Sequence, residues 1–122
     1  MKLLIVDDSN LIRSRIARIS QHPGLPPFKV VGLARNGTEA IEMCMQHQPQ
    51  MVTMDLTMPE MDGATCIEQL IRFNPRINIL VISALNDKPT AIKAIKKGAR
   101  GFLHKPFTDD QLINALLEML LD

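Results

Sequence analysis

Only two cysteines occur in the 122 residues, Cys44 and Cys66, in separate predicted helices. That excludes a disulfide framework and a cysteine-rich zinc site. The two thiols read as small buried groups in a reducing compartment. His22, His47 and His104 have no partners at metal-ligand spacing and read as exposed or structural. A dominant charge sign is missing too: 14 Lys and Arg face 13 Asp and Glu, for a net charge of +1. No global field therefore draws the chain to nucleic acid or to a membrane surface. Long apolar runs are absent. The N-terminus offers one lysine and a four-residue apolar stretch before two aspartates, too short for a signal peptide or a membrane span. A cytoplasmic location is the expectation. No glycine-rich phosphate loop follows that stretch, which argues against a nucleotide- or flavin-binding module.

What remains is enough for one domain with a real core: 46% of the residues are hydrophobic. Apolar runs of strand length alternate with helical periodicity. Strands are predicted over residues 3–6, 28–33, 51–54, 77–82 and 101–103. Helices are predicted over 9–20, 38–48, 63–73, 87–97 and 108–121. Ile12, Ile16 and Ile19 form one stripe of the first helix. Asp62 is a candidate N-cap of the third, and Thr108 with Gln111 has capping-box spacing in the last. Such alternation argues for a parallel sheet covered by helices on both faces. The central strands are apolar throughout, as a doubly buried sheet requires. The last helix runs to the C-terminus, so a single domain over residues 1–122 is expected, with no room for an output domain.

Ligands of open parallel sheets bind beyond the carboxyl ends of the strands. Asp7 and Asp8 follow the first strand, Asp55 the third, Ser83 the fourth, and His104, Lys105 and Pro106 the fifth. An aspartate at a strand end is usually a cap or a loop residue. Alone, Ser83 reads as a cap, Lys105 as a surface lysine and Phe102 as a core aromatic. Their coincidence on one edge is what carries information. Three carboxylates within a few ångströms repel one another unless a cation intervenes. Mg²⁺ takes oxygen ligands and commonly binds through one or two carboxylates plus phosphate oxygens. Carboxylates can also act as nucleophiles and form aspartyl phosphates, with metal and lysine stabilising the transferring group.

With these residues, together with 36–40 (Asn-Gly-Thr-Glu-Ala), 58–63 (Met-Pro-Glu-Met-Asp-Gly), 81–84 (Val-Ile-Ser-Ala), Gly98-Ala99 and 102–107, the chain resembles the receiver domain of bacterial two-component response regulators. The likeness spans essentially the whole chain. It implies a flavodoxin-like, doubly wound, five-stranded parallel sheet of order 2-1-3-4-5 with five helices. Asp55 would accept a phosphoryl group from a sensor histidine kinase or a histidine phosphotransfer protein. Asp8 and Asp55, with the backbone carbonyl of Thr57, would bind Mg²⁺, and Asp7 would act mainly through a metal-bound water. Ser83 would hydrogen-bond the phosphoryl group, Lys105 would pair with it, and the Lys105–Pro106 bond is expected cis. Phe102 would be the aromatic that turns inward when Ser83 moves.

Two departures are mild: many relatives carry threonine at the position of Ser83 and tyrosine at that of Phe102. Thr57 and Leu85 stand where the family tunes hydrolysis. A leucine cannot orient an attacking water, so slow autodephosphorylation is expected. The resemblance makes the fourth helix, fifth strand and fifth helix the face that controls a downstream protein. The basic run Lys88, Lys93, Lys96, Lys97 and Arg100 is then either a solvated face or part of that docking surface. Leu11, Ile12 and Arg15 lie beside the acid pair, where the family meets its phosphodonor; a stray exposed leucine is the plainer account of Leu11. The expected state is a monomer, with dimerisation on phosphorylation open.

Among stand-alone receivers, the acid-pair, Ser-Ala and Phe usage looks most like the chemotaxis type. A receiver cut from a multidomain regulator is the alternative. An aspartyl-nucleophile phosphatase is disfavoured, because haloacid-dehalogenase-like enzymes need a second aspartate two residues after the first. Thr57 stands there.

Overall fold

The computed structural model describes residues 1–56, 58, 61, 63–84 and 88–121. Among the described residues, ten elements alternate strictly. They are β1 (Lys2–Val6), α1 (Asn10–Ile19), β2 (Lys29–Ala34), α2 (Gly37–His47), β3 (Met51–Asp55), α3 (Gly63–Phe73), β4 (Asn78–Ala84), α4 (Lys88–Lys96), β5 (Gly101–Lys105) and α5 (Asp109–Met119). The five strands form one sheet in the order β2-β1-β3-β4-β5, and every pairing is parallel. This is the flavodoxin-like order, with β1 and β3 adjacent at its centre.

Side chains alternate between the faces of a strand, so residue parity assigns each to a layer. Leu3, Ile5, Met51, Leu80 and Ile82 pack with Ile16 and Ile19 of α1 and Leu112, Leu116 and Met119 of α5. Leu4, Val6, Val52, Met54, Ile79 and Val81 pack with α2, α3 and α4 through Ala40, Cys44, Cys66, Ile67, Leu70, Ala91 and Ala94. Both cysteines are free and buried, and burial pushes the Cys44 thiol up from its ordinary pKa.

Local chemistry sets the helix starts. The side chains of Ser9 and Asn36 accept from the backbone N–H of Ile12 (3.3 Å) and Glu39 (2.9 Å). Thr108 and Gln111 form the reciprocal capping box that their spacing predicts. The expected cap Asp62 lies outside the described residues. α2 stops at Gln48, which takes a left-handed φ of 51°, one residue before Pro49. α4 is followed by Gly98 at φ +123°, where a side chain would also press on Ile71 at 3.0 Å.

Three strand ends differ from the sequence expectation in a way that matters. β3, β4 and β5 continue to Asp55, Ala84 and Lys105, because the parallel ladder still pairs Asp55 with Ile82, Ser83 with His104 and Ala84 with Lys105. Asp55 and Lys105 are therefore the last residues of their strands and Ser83 the last but one, and none of them is a loop residue.

Candidate functional site

Parity sorts the polar residues at the carboxyl edge into two groups. Asp7 continues the Leu3–Ile5 row, Asp55 the Met51–Thr53 row and Lys105 follows Leu103, all toward α1 and α5. Ser83 continues the Ile79–Val81 row, and Phe102 packs with the same layer, toward α4.

On the α1 side, Asp7, Asp8 and Asp55 bring carboxylate oxygens within 4.8 Å of one another. Asp7 and Asp55 are buried, and Asp8 is exposed. The Lys105 ammonium lies 2.8 Å from Asp7 Oδ2 and 3.7 Å from Asp55 Oδ1, so one cation bridges the two buried acids. Every polar group of Asp7 is engaged. Its N–H donates to the Ala34 carbonyl (3.0 Å), its Oδ1 accepts from the Ser9 N–H (2.9 Å), and its carbonyl accepts from Arg13 Nη1 (2.6 Å).

Hard oxygen donors in this arrangement suit a small divalent cation. Opposite ligands of an octahedral ion with bonds of about 2.1 Å lie roughly 4.2 Å apart, close to the observed span. The carboxylates of Asp7, Asp8 and Asp55 are thus the residues that could hold Mg²⁺. Thr57 and Leu85, expected as a carbonyl ligand and as tuners of hydrolysis, lie outside the described residues.

Ser83 is completely buried at the neighbouring strand end. Phe102 is half-buried, and its ring meets that of His104 edge-on with centroids 4.5 Å apart. With Lys88, Ala91, Ile92 and Ile95, these two rings line an open groove of about 270 Å³. The Lys105–Pro106 peptide is cis.

The expected partner surfaces are mixed. Leu11 is 82% exposed, whereas Ile12 is partly buried against the core. Arg15 turns to α5: it donates to the Phe107 carbonyl (2.6 Å) and stacks over the Phe107 ring. Lys93 is exposed, but Lys97 pairs with Glu68 at 3.1 Å.

Two residues outside the expected set shape the site. Arg13 is buried and holds the Asp7 carbonyl. The signal was present, because Arg13 lies three residues before Ile16 on the inward stripe, where a charge must find a partner. Gly63 is the other: a Cβ there would stand 2.6 Å from the Leu56 Cα and 2.9 Å from the Asp55 carbonyl oxygen. Only glycine lets the start of α3 lie against the backbone that carries Asp55.

The model of the response regulator receiver domain matches residues 3–117. The chain belongs to the response regulator receiver domain family. As a receiver domain of the CheY-like type it is a component of two-component phosphorelay signalling. It is 39% identical over 119 residues to the chemotaxis protein CheY of Bacillus subtilis, covering 98% of this chain and 97% of that one. It is also 39% identical over 110 residues to a protein-glutamate methylesterase/protein-glutamine glutaminase of Shewanella frigidimarina. There the match covers 89% of this chain but 27% of the relative. Among solved structures, a CheX-CheY-BeF3-Mg²⁺ complex from Borrelia burgdorferi superposes with a TM-score of 0.91 at 29% identity, covering all of this chain and 90% of that one. Among the described residues of this receiver domain, no helix is long and apolar enough to cross a membrane.

Proposed function

We propose that this receiver domain is a stand-alone cytoplasmic response regulator that takes a phosphoryl group on Asp55 from a sensor histidine kinase or histidine phosphotransfer protein. The supporting observation is the cluster of the Asp7, Asp8 and Asp55 carboxylates, with the Lys105 ammonium bridging Asp7 and Asp55. An Asp55 oxygen attacks phosphorus and forms the acyl–phosphate bond. The phosphorus–nitrogen bond to the donor histidine breaks, and the imidazole leaves with the electron pair and takes a proton. Lys105 already stands where negative charge accumulates on the new phosphoryl oxygens, and Ser83 offers a hydroxyl from the adjacent strand end. Asp8 and Asp55, with Asp7 beside them and the Thr57 carbonyl expected from the family resemblance, would hold Mg²⁺, which would supply the remaining charge neutralisation. Apart from its own phosphorylation and slow dephosphorylation, the protein catalyses nothing.

Phosphorylation then shifts a pre-existing equilibrium, because new bonds to Ser83 and Lys105 exist only in the phosphorylated state. Ser83 shares a face with Phe102, so the shift passes to the α4–β5–α5 surface. There the groove lined by exposed Ile92 and Ile95, with Lys88 at its edge, suits an acidic amphipathic segment of a downstream protein. Leu11, on the exposed side of α1, is the corresponding contact for the phosphodonor. Neither nucleic acid nor membrane is a direct partner. A chemotaxis role follows the similarity to CheY over nearly the full length of both chains. The match to only 27% of the methylesterase favours a second reading, a receiver belonging to a longer regulator.

Incubation with Mg²⁺ and acetyl phosphate tests the assignment by intact mass. A single phosphoryl adduct is expected, dependent on Mg²⁺, absent from Asp55→Asn, and decaying over minutes or longer. An adduct retained in Asp55→Asn overturns the proposal, and decay within seconds overturns the slow-hydrolysis part.

A further inference from the structure

We infer that Arg15 is a positioning residue for Lys105, a role that rests on the phosphoryl-transfer reading above. Lys105 closes β5, and the strand ladder fixes its backbone only on the N-terminal side, through the pairing of Ala84 with Lys105. Beyond it the chain leaves the sheet. The next polar tie to another element, among the described residues, is the bond from Arg15 Nη2 to the Phe107 carbonyl at 2.6 Å. The same guanidinium lies 4.5 Å from the centroid of the Phe107 ring and pairs with Asp109 at 3.1 Å. A guanidinium that lies over a ring and also donates to the same residue's carbonyl is held by two contacts at once, a combination that a lysine does not reproduce. The ring itself is buried against the α1–α5 core, so the anchor does not swing.

The other end of this clamp is α1. Its start is fixed to the acid pair by the Ser9 N–H on Asp7 Oδ1 and by Arg13 on the Asp7 carbonyl. Arg15 therefore connects the segment carrying Asp7 and Asp8 to the segment carrying Lys105, independently of the sheet. The lysine has a long flexible stem, and its ammonium reaches both buried acids only if its Cα is correctly placed. Loosening the clamp spreads the ammonium over positions that no longer meet the phosphoryl oxygens. The acids, held by β1 and β3, are left as they are.

The test uses beryllofluoride, which mimics a phosphoryl group on a carboxylate, titrated at saturating Mg²⁺. Amide chemical shifts give the readout, because the chain has no Trp or Tyr to report by fluorescence. Four variants are compared with the wild type: Arg15→Met, Arg15→Lys, Lys105→Ala and the Arg15→Met/Lys105→Ala double variant. Arg15→Met is expected to weaken beryllofluoride about tenfold, in line with the cost of a sub-ångström misplacement. Arg15→Lys falls between it and the wild type. Affinity for Mg²⁺ alone, which the acids set, stays within about twofold. In the Lys105→Ala background Arg15→Met has no further effect, since the residue it positions is gone.

A loss of the same factor in both backgrounds overturns the inference, because Arg15 then acts on the fold at large. So does a parallel fall in Mg²⁺ affinity, or an Arg15→Met protein that binds like the wild type. If the wild type itself binds no beryllofluoride with Mg²⁺, the proposed function fails first and takes this inference with it.

Discussion

The two faces of the sheet meet the carboxyl edge in different ways. On the α1–α5 face, Asp7, Asp55 and Lys105 are linked by ion pairs, Arg13 ties Asp7 to α1, and Arg15 ties α1 to the segment after Lys105. On the other face stand Ser83 and Phe102, and the helix over them is lightly anchored. α1 buries Ile16 and Ile19, whereas α4 buries only Ala91 and Ala94 and leaves Ile92 and Ile95 58% and 45% exposed. Burying an isoleucine side chain stabilises by about 1.5–3 kcal/mol, while an alanine methyl contributes about 0.8 kcal/mol. Elements that respond to ligands come from the less stable parts of a fold. The contrast teaches a division of labour. Charges that must keep their spacing sit on the anchored face, and the proposed response sits on the face that opens at low cost.

The largest effect expected from this contrast is in stability. Ile16→Ala should cost about 2–5 kcal/mol in urea unfolding, because it opens a cavity in a fully buried site. Ile92→Ser and Ile95→Ser, made singly, should each cost less, about 1 kcal/mol, because roughly half of each side chain already meets water. Equal losses in the two helices would break the comparison, since α4 would then be as firmly built as α1.

A smaller effect is expected at the start of α1. Ser9→Ala removes the cap to the Ile12 N–H but keeps the backbone bond from residue 9 to Asp7. A loss of about 0.5–1 kcal/mol is expected, at the low end for an N-cap because the bond is 3.3 Å long. Denaturant melts measure it. The acid lattice should survive, so Mg²⁺ affinity is the sharper control: a tenfold fall would mean that the hydroxyl itself orders the acid loop.

Much of this was legible in the sequence, for reasons particular to each element. β1 and β3 announce themselves because they are apolar on both faces and then end in acids. α5 does so because Thr108 and Gln111 form a capping box. The edge cluster could be located because parallel strands deliver their last residues to one side. Pair-specific geometry was less visible. Arg15, expected to face a partner, instead reaches a carbonyl 92 residues away in the chain, and no spacing encodes that contact. That β3, β4 and β5 run past their apolar stretches to Asp55, Ala84 and Lys105 was less visible too, because a polar residue still paired in a ladder looks in sequence like the start of a loop. Gly63 lay within a recognised motif, yet its reason, backbone contact with Asp55 and Leu56, needs three dimensions.

The smallest effect concerns the ion pair that ties Lys97, the residue just after α4, to Glu68 of α3. Glu68 accepts a hydrogen bond from Lys97, and this bond, followed by the attraction of the same charge, lowers the Glu68 pKa below its ordinary value. A carboxylate lowered in the folded state contributes stability that is fully present above its unfolded pKa, about 4.3 for glutamate. That contribution is lost as the pH falls through the lowered folded value. Acidification from pH 6 through this range should therefore loosen α4 before α1. Glu68→Gln should loosen α4 at pH 6 already and remove that pH dependence. Both sites are exposed, so the change is small and screened by salt. Native-state hydrogen exchange, corrected for intrinsic rates, resolves it residue by residue. Protection should fall at α4 amides and hold at α1 amides; an equal fall in both would mean that α4 opens only with the whole molecule, and the two faces would then be one cooperative unit.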